Sequence, residues 1–87
     1  MALADEFETA QVNVKKLRST PSNDELLELY SLYKQGSQGD VQGSRPGMLD
    51  FKGRAKYDAW AERKGMQREA AMRAYIDVVA RLEAKYA

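Results

Sequence analysis

Four of the six glycines, together with Pro46, fall between residues 36 and 50 and interrupt a chain that otherwise reads as helix. Glycine and proline break regular elements, so the stretch is one long connection. A connection of this length is uncommon in a small helical protein unless it has a task or spans the molecule. About fifteen residues can run back along a helix and let the next one start from the same end. The flanking helices are therefore predicted to be parallel. The stretch lacks the Gly-Lys-Ser/Thr ending of a P-loop, so its glycines are weak evidence for a phosphate cradle.

Around this loop, apolar residues recur at intervals of three and four. Leu3, Phe7, Ala10, Val14 and Leu17 outline a first amphipathic helix, closed by Pro21. Asp5, Glu6 and Glu8 suit the positive end of its dipole, and Lys15, Lys16 and Arg18 the negative end. Ser22 and Glu25 form a capping box for a second helix, with Leu26, Leu27, Leu29, Tyr30 and Tyr33 in its body and a stop at Gly36. Asp50 caps a third helix, predicted to reach Lys64 and stop at Gly65. Gly53 in its first turns costs about 1 kcal/mol relative to alanine. Close approach of a ligand or a neighbouring backbone is the expected reason. Met72, Tyr75, Val79, Leu82 and Tyr86 outline the fourth helix, with Arg81 and Lys85 in its last turns. The expected fold class is all-α: a four-helix bundle, helices two and three parallel, in a single domain over residues 1–87.

Composition removes several functions. The 87 residues include no cysteine and no histidine, which leaves no thiol nucleophile, no disulfide and no imidazole base or metal ligand. Neither a catalytic centre nor a metal or cofactor site is expected. A net charge of +1 is too small for a protein that neutralises a nucleic-acid backbone, so an anion site has to be local. The acidic opening residues do not read as a secretory leader, and no apolar run approaches the length of a membrane span. The expectation is a cytoplasmic protein without stable membrane insertion.

Tyr30, Tyr33 and Lys34 share one helical face by their i, i+3, i+4 spacing, and Lys52 and Lys56 share another. Aromatic rings beside converging ammonium groups suit a ligand with a flat base and phosphates. Taken singly, Tyr30, Tyr33 and Tyr75 read more readily as packing than as a site, and Lys52, Arg54 and Lys56 more readily as a solvated face. Trp60 is assigned to the core. Asp58 and Glu62 form an i, i+4 acidic pair on the third helix and are read as solvated. Read together, the two lysine-bearing faces favour one compact polyanion site on a helical module.

The segments Tyr-Ser-Leu-Tyr-Lys-Gln at 30–35, Gly39-Asp40, Arg45-Pro-Gly-Met-Leu-Asp-Phe-Lys-Gly53 with Lys56 and Asp58-Ala-Trp60, and Ala74-Tyr75-Ile76 resemble the acyl-CoA-binding proteins. The resemblance covers essentially the whole chain. It implies non-catalytic binding, buffering and transport of long-chain fatty acyl-CoA thioesters by a monomer that serves acyl-CoA-using enzymes. Carried over by position, Tyr30, Lys34 and Lys56 are implied to hold the 3′-phosphate, with Tyr33 and Tyr75 near the adenine. Lys15 and Lys52 match further contacts to the CoA moiety, and Leu26 and Leu27 are candidates for the acyl chain. Gly36-Ser37 departs from the family pattern and predicts fraying of helix two. Tyr57 stands where tryptophan is common. Met66-Gln67 replaces the usual Ser or Thr cap of the last helix, a loss of around 1 kcal/mol.

Two other readings compete. One is a helical adaptor that recognises a phosphorylated nucleotide and docks a protein partner, which needs the lysines and tyrosines but no acyl groove. The other is an acyl-CoA thioesterase or isomerase, disfavoured by the missing histidine and cysteine.

Overall fold

The structure, a computed structural model, describes residues 2–86, among which lie four helices: α1 Leu3–Val14, α2 Asn23–Gln38, α3 Phe51–Ala61 and α4 Arg68–Lys85. They lie side by side in the order α1, α4, α2, α3, giving a slab of 37 × 28 × 15 Å. Apolar stripes of α1, α2 and α4 close on one core that includes Phe7, Leu32, Ala71, Val79 and Leu82. Helix α3 packs on α2 and on no other helix.

The ion pairs Lys85–Glu25 and Arg81–Glu28 and the bond from Arg68 to the Ser37 carbonyl place α4 antiparallel to α2. Helix α3 runs parallel to α2: Tyr30 meets Lys56, Ser31 meets Arg63, and Lys34 meets Trp60. The loop between them runs back along α3. The Trp60 indole N–H donates to the Gly39 carbonyl at 2.8 Å, the Tyr57 hydroxyl to Gly43 O at 2.9 Å, and Arg45 forks onto Asp58 at 2.9 and 2.7 Å. Loop length alone predicted this return path.

The caps at Ser22 and Asp50 form as the sequence predicts. Ser22 and Glu25 bond reciprocally at 3.2 and 2.8 Å, and the Asp50 carboxylate accepts from the Gly53 N–H at 2.9 Å. Gly53 is crowded by that capping carboxylate and by no neighbouring backbone: an added β-carbon would sit 2.7 Å from Asp50 Cγ. Gln67 heads α4 without a side-chain cap bond, in line with the replaced Ser or Thr.

Three expected ends move. Helix α1 stops at Val14, after which Lys15 and Lys16 make tightened turn bonds to Val12 and Asn13; Leu17 still packs on the core from outside the helix. Its basic residues therefore follow the helix instead of ending it. Helix α3 stops at Ala61, and a turn carries the chain to Gly65, whose φ of +91° makes it the break the sequence predicts. Helix α2 does not stop or fray at Gly36 but continues to Gln38, and Gly39 breaks it with φ +82°. Tertiary bonds explain the extension. Arg68 donates to the carbonyls of Gly36 and Ser37 at 3.4 and 2.6 Å, satisfying groups that a helix end leaves open. The Ser37 hydroxyl bonds back to the Tyr33 carbonyl at 2.7 Å.

Gly36 is there for clearance. A β-carbon would lie 3.2 Å from both Met72 Cγ and Phe7 Cζ, so α2 passes close to α4 and to the Phe7 ring at this turn. Gly36→Val should therefore overpack the site and lower stability by about 1–3 kcal/mol, read as a drop of several degrees in Tm. An unchanged Tm would show that the neighbours yield freely.

Glu25 ties the start of α2 to the end of α4. The Tyr86 hydroxyl, the Ser22 N–H and the Lys85 ammonium hold its carboxyl down to about 2, from an ordinary 4.5. A lowered carboxyl stabilises the fold fully above its unfolded value and loses that contribution as the pH falls through the folded one. Thermal melts should fall between about pH 4.5 and pH 2. Glu25→Gln should melt lower at neutral pH and show a flatter fall across this window, which melts at stepped pH would check.

Candidate functional site

One broad face of α2 carries Leu26, Tyr30 and Tyr33, and two hollows meet along it. The first, about 320 Å³, lies toward α1 and is lined by Val14, Lys15, Leu29, Tyr33 and Tyr75. The second, about 640 Å³, lies between the starts of α2 and α3 and is lined by Leu27, Phe51, Lys52, Ala55 and Lys56. Leu26 and Tyr30 belong to both, so the two form one continuous concave surface. Its lining is mainly apolar, with lysines at intervals. A ligand with an apolar tail and an anionic head matches such a lining.

The aromatic floor is fixed by packing. Phe7 stacks with Tyr33 at 6.2 Å between ring centroids and meets Tyr75 edge-on at 5.2 Å. Tyr75 is only 4% exposed, and burial, with a smaller contribution from Tyr33, pushes its hydroxyl above the usual tyrosine range. Its ring belongs at once to the core and to the wall of the first hollow. Spacing alone could not separate those roles, and the structure gives it both.

Between α2 and α3 the lysines are held by a crossed pattern. Helix α2 offers Tyr30 and Lys34 one turn apart; α3 offers Lys56 and Trp60 one turn apart. The Lys56 ammonium lies 5.1 Å from the centroid of Tyr30, and that of Lys34 lies 4.8 Å from the centroid of Trp60. Each helix thus supplies one ring and one cation, and each cation rests on the other helix's ring. This crossing closes only when the helices are parallel. Such a contact contributes about 0.5–2 kcal/mol, depending on how far the cation is desolvated. Among the described residues, Lys15, Lys34, Lys52 and Lys56 have no carboxylate partner. Their charge remains free to act on a ligand.

The expected site residues are therefore brought together unevenly. Lys15, Tyr30, Tyr33 and Tyr75 line the hollow toward α1, while Leu26, Leu27, Tyr30, Lys52 and Lys56 line the groove toward α3. Lys34 lines neither; it lies farther along the seam, on Trp60. Two contributors escape a reading of the sequence. Trp60 is buried as expected at 6% exposure, yet it lies outside the main apolar cluster and serves as the ring beneath Lys34 and the donor to the loop. Phe51 forms part of the groove wall, and only its place one residue before Lys52 hinted at this.

The opposite side of the same seam has the reverse charge. Asp24, Glu28, Asp58 and Glu62 line a second cleft there, with Arg63 donating to the Ser31 hydroxyl at 3.1 Å. Asp58 is not simply solvated. The Arg45 fork holds its carboxyl below the usual range, and it fastens the loop. Carboxylates would repel a phosphorylated ligand, so the lysine-bearing face is the one suited to an anion.

A family profile described as "Acyl CoA binding protein" matches residues 4–79. The chain is 51% identical over 80 residues to "Acyl-CoA-binding protein homolog 1" of Caenorhabditis elegans, covering 92% of this chain and 93% of that one. It is 48% identical over 85 residues to "Acyl-CoA-binding protein homolog" of Drosophila melanogaster, covering 98% and 99%. The crystal structure of Oryza sativa Acyl-CoA-Binding Protein 2 superposes with a TM-score of 0.92 at 42% identity, over 97% of this chain and 93% of that one. With a family profile matching residues 4–79 and relatives and a solved structure matched along nearly the full length, the chain belongs to the acyl-CoA-binding protein family.

Proposed function

We propose that this protein binds long-chain fatty acyl-CoA thioesters without altering them, and so buffers and transports them. The observation that carries the reading is the meeting of a lysine- and tyrosine-bearing surface with an apolar groove at Leu26 and Tyr30. One ligand with a polyanionic nucleotide at one end and a hydrocarbon chain at the other uses both. Burial of each methylene contributes about 0.8 kcal/mol, so even a partly covered chain supplies much of the affinity. Charge-assisted bonds to phosphate, roughly 1.5–3 kcal/mol each, then select for the nucleotide over a free fatty acid.

On this reading Tyr30, Lys34 and Lys56 hold the 3′-phosphate, Tyr33 and Tyr75 flank the adenine, and Lys15 and Lys52 contact other parts of the CoA moiety. Leu26 and Leu27 take the acyl chain. The crossed contacts support this assignment, because they keep two cations on separate helices beside one seam. Binding would draw Lys34 off Trp60 toward the phosphate. With neither histidine nor cysteine in the chain, the thioester meets no imidazole or thiolate. The protein acts as a cytoplasmic monomer, residues 1–87 forming one binding domain, and hands its cargo to acyl-CoA-using enzymes. Nucleic acid is not a partner, and no cofactor is required. No described helix is long and apolar enough to cross a membrane.

Calorimetric titration should show affinity rising from acetyl-CoA through octanoyl-CoA to palmitoyl-CoA and then levelling off, with palmitate bound far more weakly. Equal affinity for CoA and palmitoyl-CoA would remove the acyl groove and promote a nucleotide-recognising adaptor. Appearance of free CoA on incubation would establish catalysis.

Lys34→Ala and Lys56→Ala should each weaken palmitoyl-CoA binding by roughly 1.5–3 kcal/mol. Against palmitoyl-dephospho-CoA, which lacks the 3′-phosphate, each should lose little, so the protein and ligand changes combine non-additively. Full additivity would show that these lysines do not touch the 3′-phosphate.

A further inference from the structure

The hollows on the two sides of the α2–α3 seam share a wall. Leu27 and Ala55 line both the lysine-bearing groove, of about 640 Å³, and the cleft behind it, of about 540 Å³; no other residue lines both. Every clasp between these helices lies at Tyr30 or beyond it: Lys56 on Tyr30, Arg63 on Ser31, Lys34 on Trp60. Among the described residues, no hydrogen bond or ion pair joins α2 to α3 before Tyr30. At the start of the seam the partition is one leucine and one alanine, and Ala55 adds a single methyl group to it.

A long acyl chain has to be placed against this partition. The α2 residues that line the groove run from Asn23 to Tyr30, about 10 Å of helix. The hydrocarbon core of a bilayer, two chains deep, is about 30 Å thick, so one extended chain reaches about 15 Å. The groove is therefore shorter than its proposed cargo. On the acyl-CoA reading, on which this inference rests, the hollow toward α1 is filled by the adenine end of the ligand. A tail left in water loses the burial of each of its methylenes. Between the helices it meets Leu27, Ala55 and then Ala59, which lines the cleft behind. The other residues around that cleft are polar, so it accepts the last few methylenes and not a whole chain. Three of its carboxylates, on Glu25, Glu28 and Asp58, are already paired, which lowers the cost of seating an apolar end beside them.

We propose that Ala55 sets the acyl-chain preference: its small side chain leaves a slot through which the end of a long chain passes between α2 and α3 into the cleft behind. The acyl subsite thus continues through the seam, with Leu27 and Ala59 at its inner end.

Calorimetric titration of octanoyl-, palmitoyl- and eicosanoyl-CoA into the unmodified chain, Ala55→Leu and Ala59→Leu tests it. Ala55 is exposed and leucine suits a helix, so the variants should keep their fold, which thermal melts check. Ala55→Leu narrows the slot, so its loss should grow with chain length and reach at least about tenfold for palmitoyl-CoA, the burial of about two methylenes. Ala59→Leu stands outside the groove and should weaken eicosanoyl-CoA while leaving octanoyl-CoA as it was. A loss from Ala55→Leu by the same factor at every length, or no loss, would overturn the proposal. An Ala59→Leu variant that binds all three ligands like the unmodified chain would overturn the passage into the cleft behind. If the unmodified chain binds all three alike, the acyl groove itself is removed and the inference falls with it. If its affinity rises with length and neither variant alters that rise, the inference alone falls and the acyl-CoA reading stands.

Discussion

Helix α3 packs on α2 alone, so the position of Lys52 and Lys56 relative to Tyr30 depends on a single seam and on the straps that close it. The other three helices share one core and hold each other through several faces. The α2–α3 seam has less to work with. It is closed on one side by the two lysine–ring contacts, on the other by Arg63 and Ser31, and along its outside by the loop. Each of these contributes little alone. An exposed ion pair such as Arg45–Asp58 is a weak contact, and a neutral hydrogen bond contributes about 1 kcal/mol. Their number and spread fix the register of α3 along α2. A slip of one turn would part both rings from both cations together.

The upper end of the seam is set by Gln35, which is 0% exposed. Its amide N–H groups donate to the Asp40 carboxylate at 2.9 Å and to the Met66 carbonyl at 2.8 Å. Asp40 also accepts from the Gly65 N–H at 2.8 Å; that bond and the one from Gln35 hold its carboxyl below the usual range. One buried side chain therefore joins the end of α2, the start of the loop and the turn into α4. The Gln35 carbonyl oxygen has no partner, an expense the node tolerates. Both of the groups it donates to are acceptors, so turning the amide over would lose both bonds and set its oxygen against two others.

Net charge conceals the electrostatic design. A value of +1 hides a local sorting, with lysines lining the groove on one side of the α2–α3 seam and four carboxylates lining the cleft on the other. Carboxylates that could neutralise the groove lysines are used elsewhere: Glu25 and Glu28 pair with α4, and Asp58 with the loop. The groove keeps its positive charge because the folding interactions consume the acids on the far side. The proposed binding face and the stabilising ion pairs thus lie on different faces of α2.

Local chemistry made much of this protein legible in advance. Ser22 and Asp50 announce helix starts because their side chains cap the very next turn, and Gly65 announces a stop because it alone tolerates the backbone required. The length of the 36–50 stretch settled that α2 and α3 are parallel, since a shorter loop could not return along α3. The lysine and tyrosine spacings assigned Tyr30, Tyr33 and Lys34 to one helix and Lys52 and Lys56 to the next, where the structure has them. The tertiary structure decided what depends on neighbours distant in sequence. Gly36 looks like a helix end locally, but Arg68 satisfies the carbonyls beyond it and Phe7 and Met72 need its missing side chain, so α2 continues. Asp58 looks like half of a solvated pair until Arg45 arrives from thirteen residues away. Trp60 reads as core in any pattern, because nothing local reveals that Lys34 of another helix will lie on its face. A sequence states which groups are available within a turn or two; which of them meet across the seam is settled only when the helices pack.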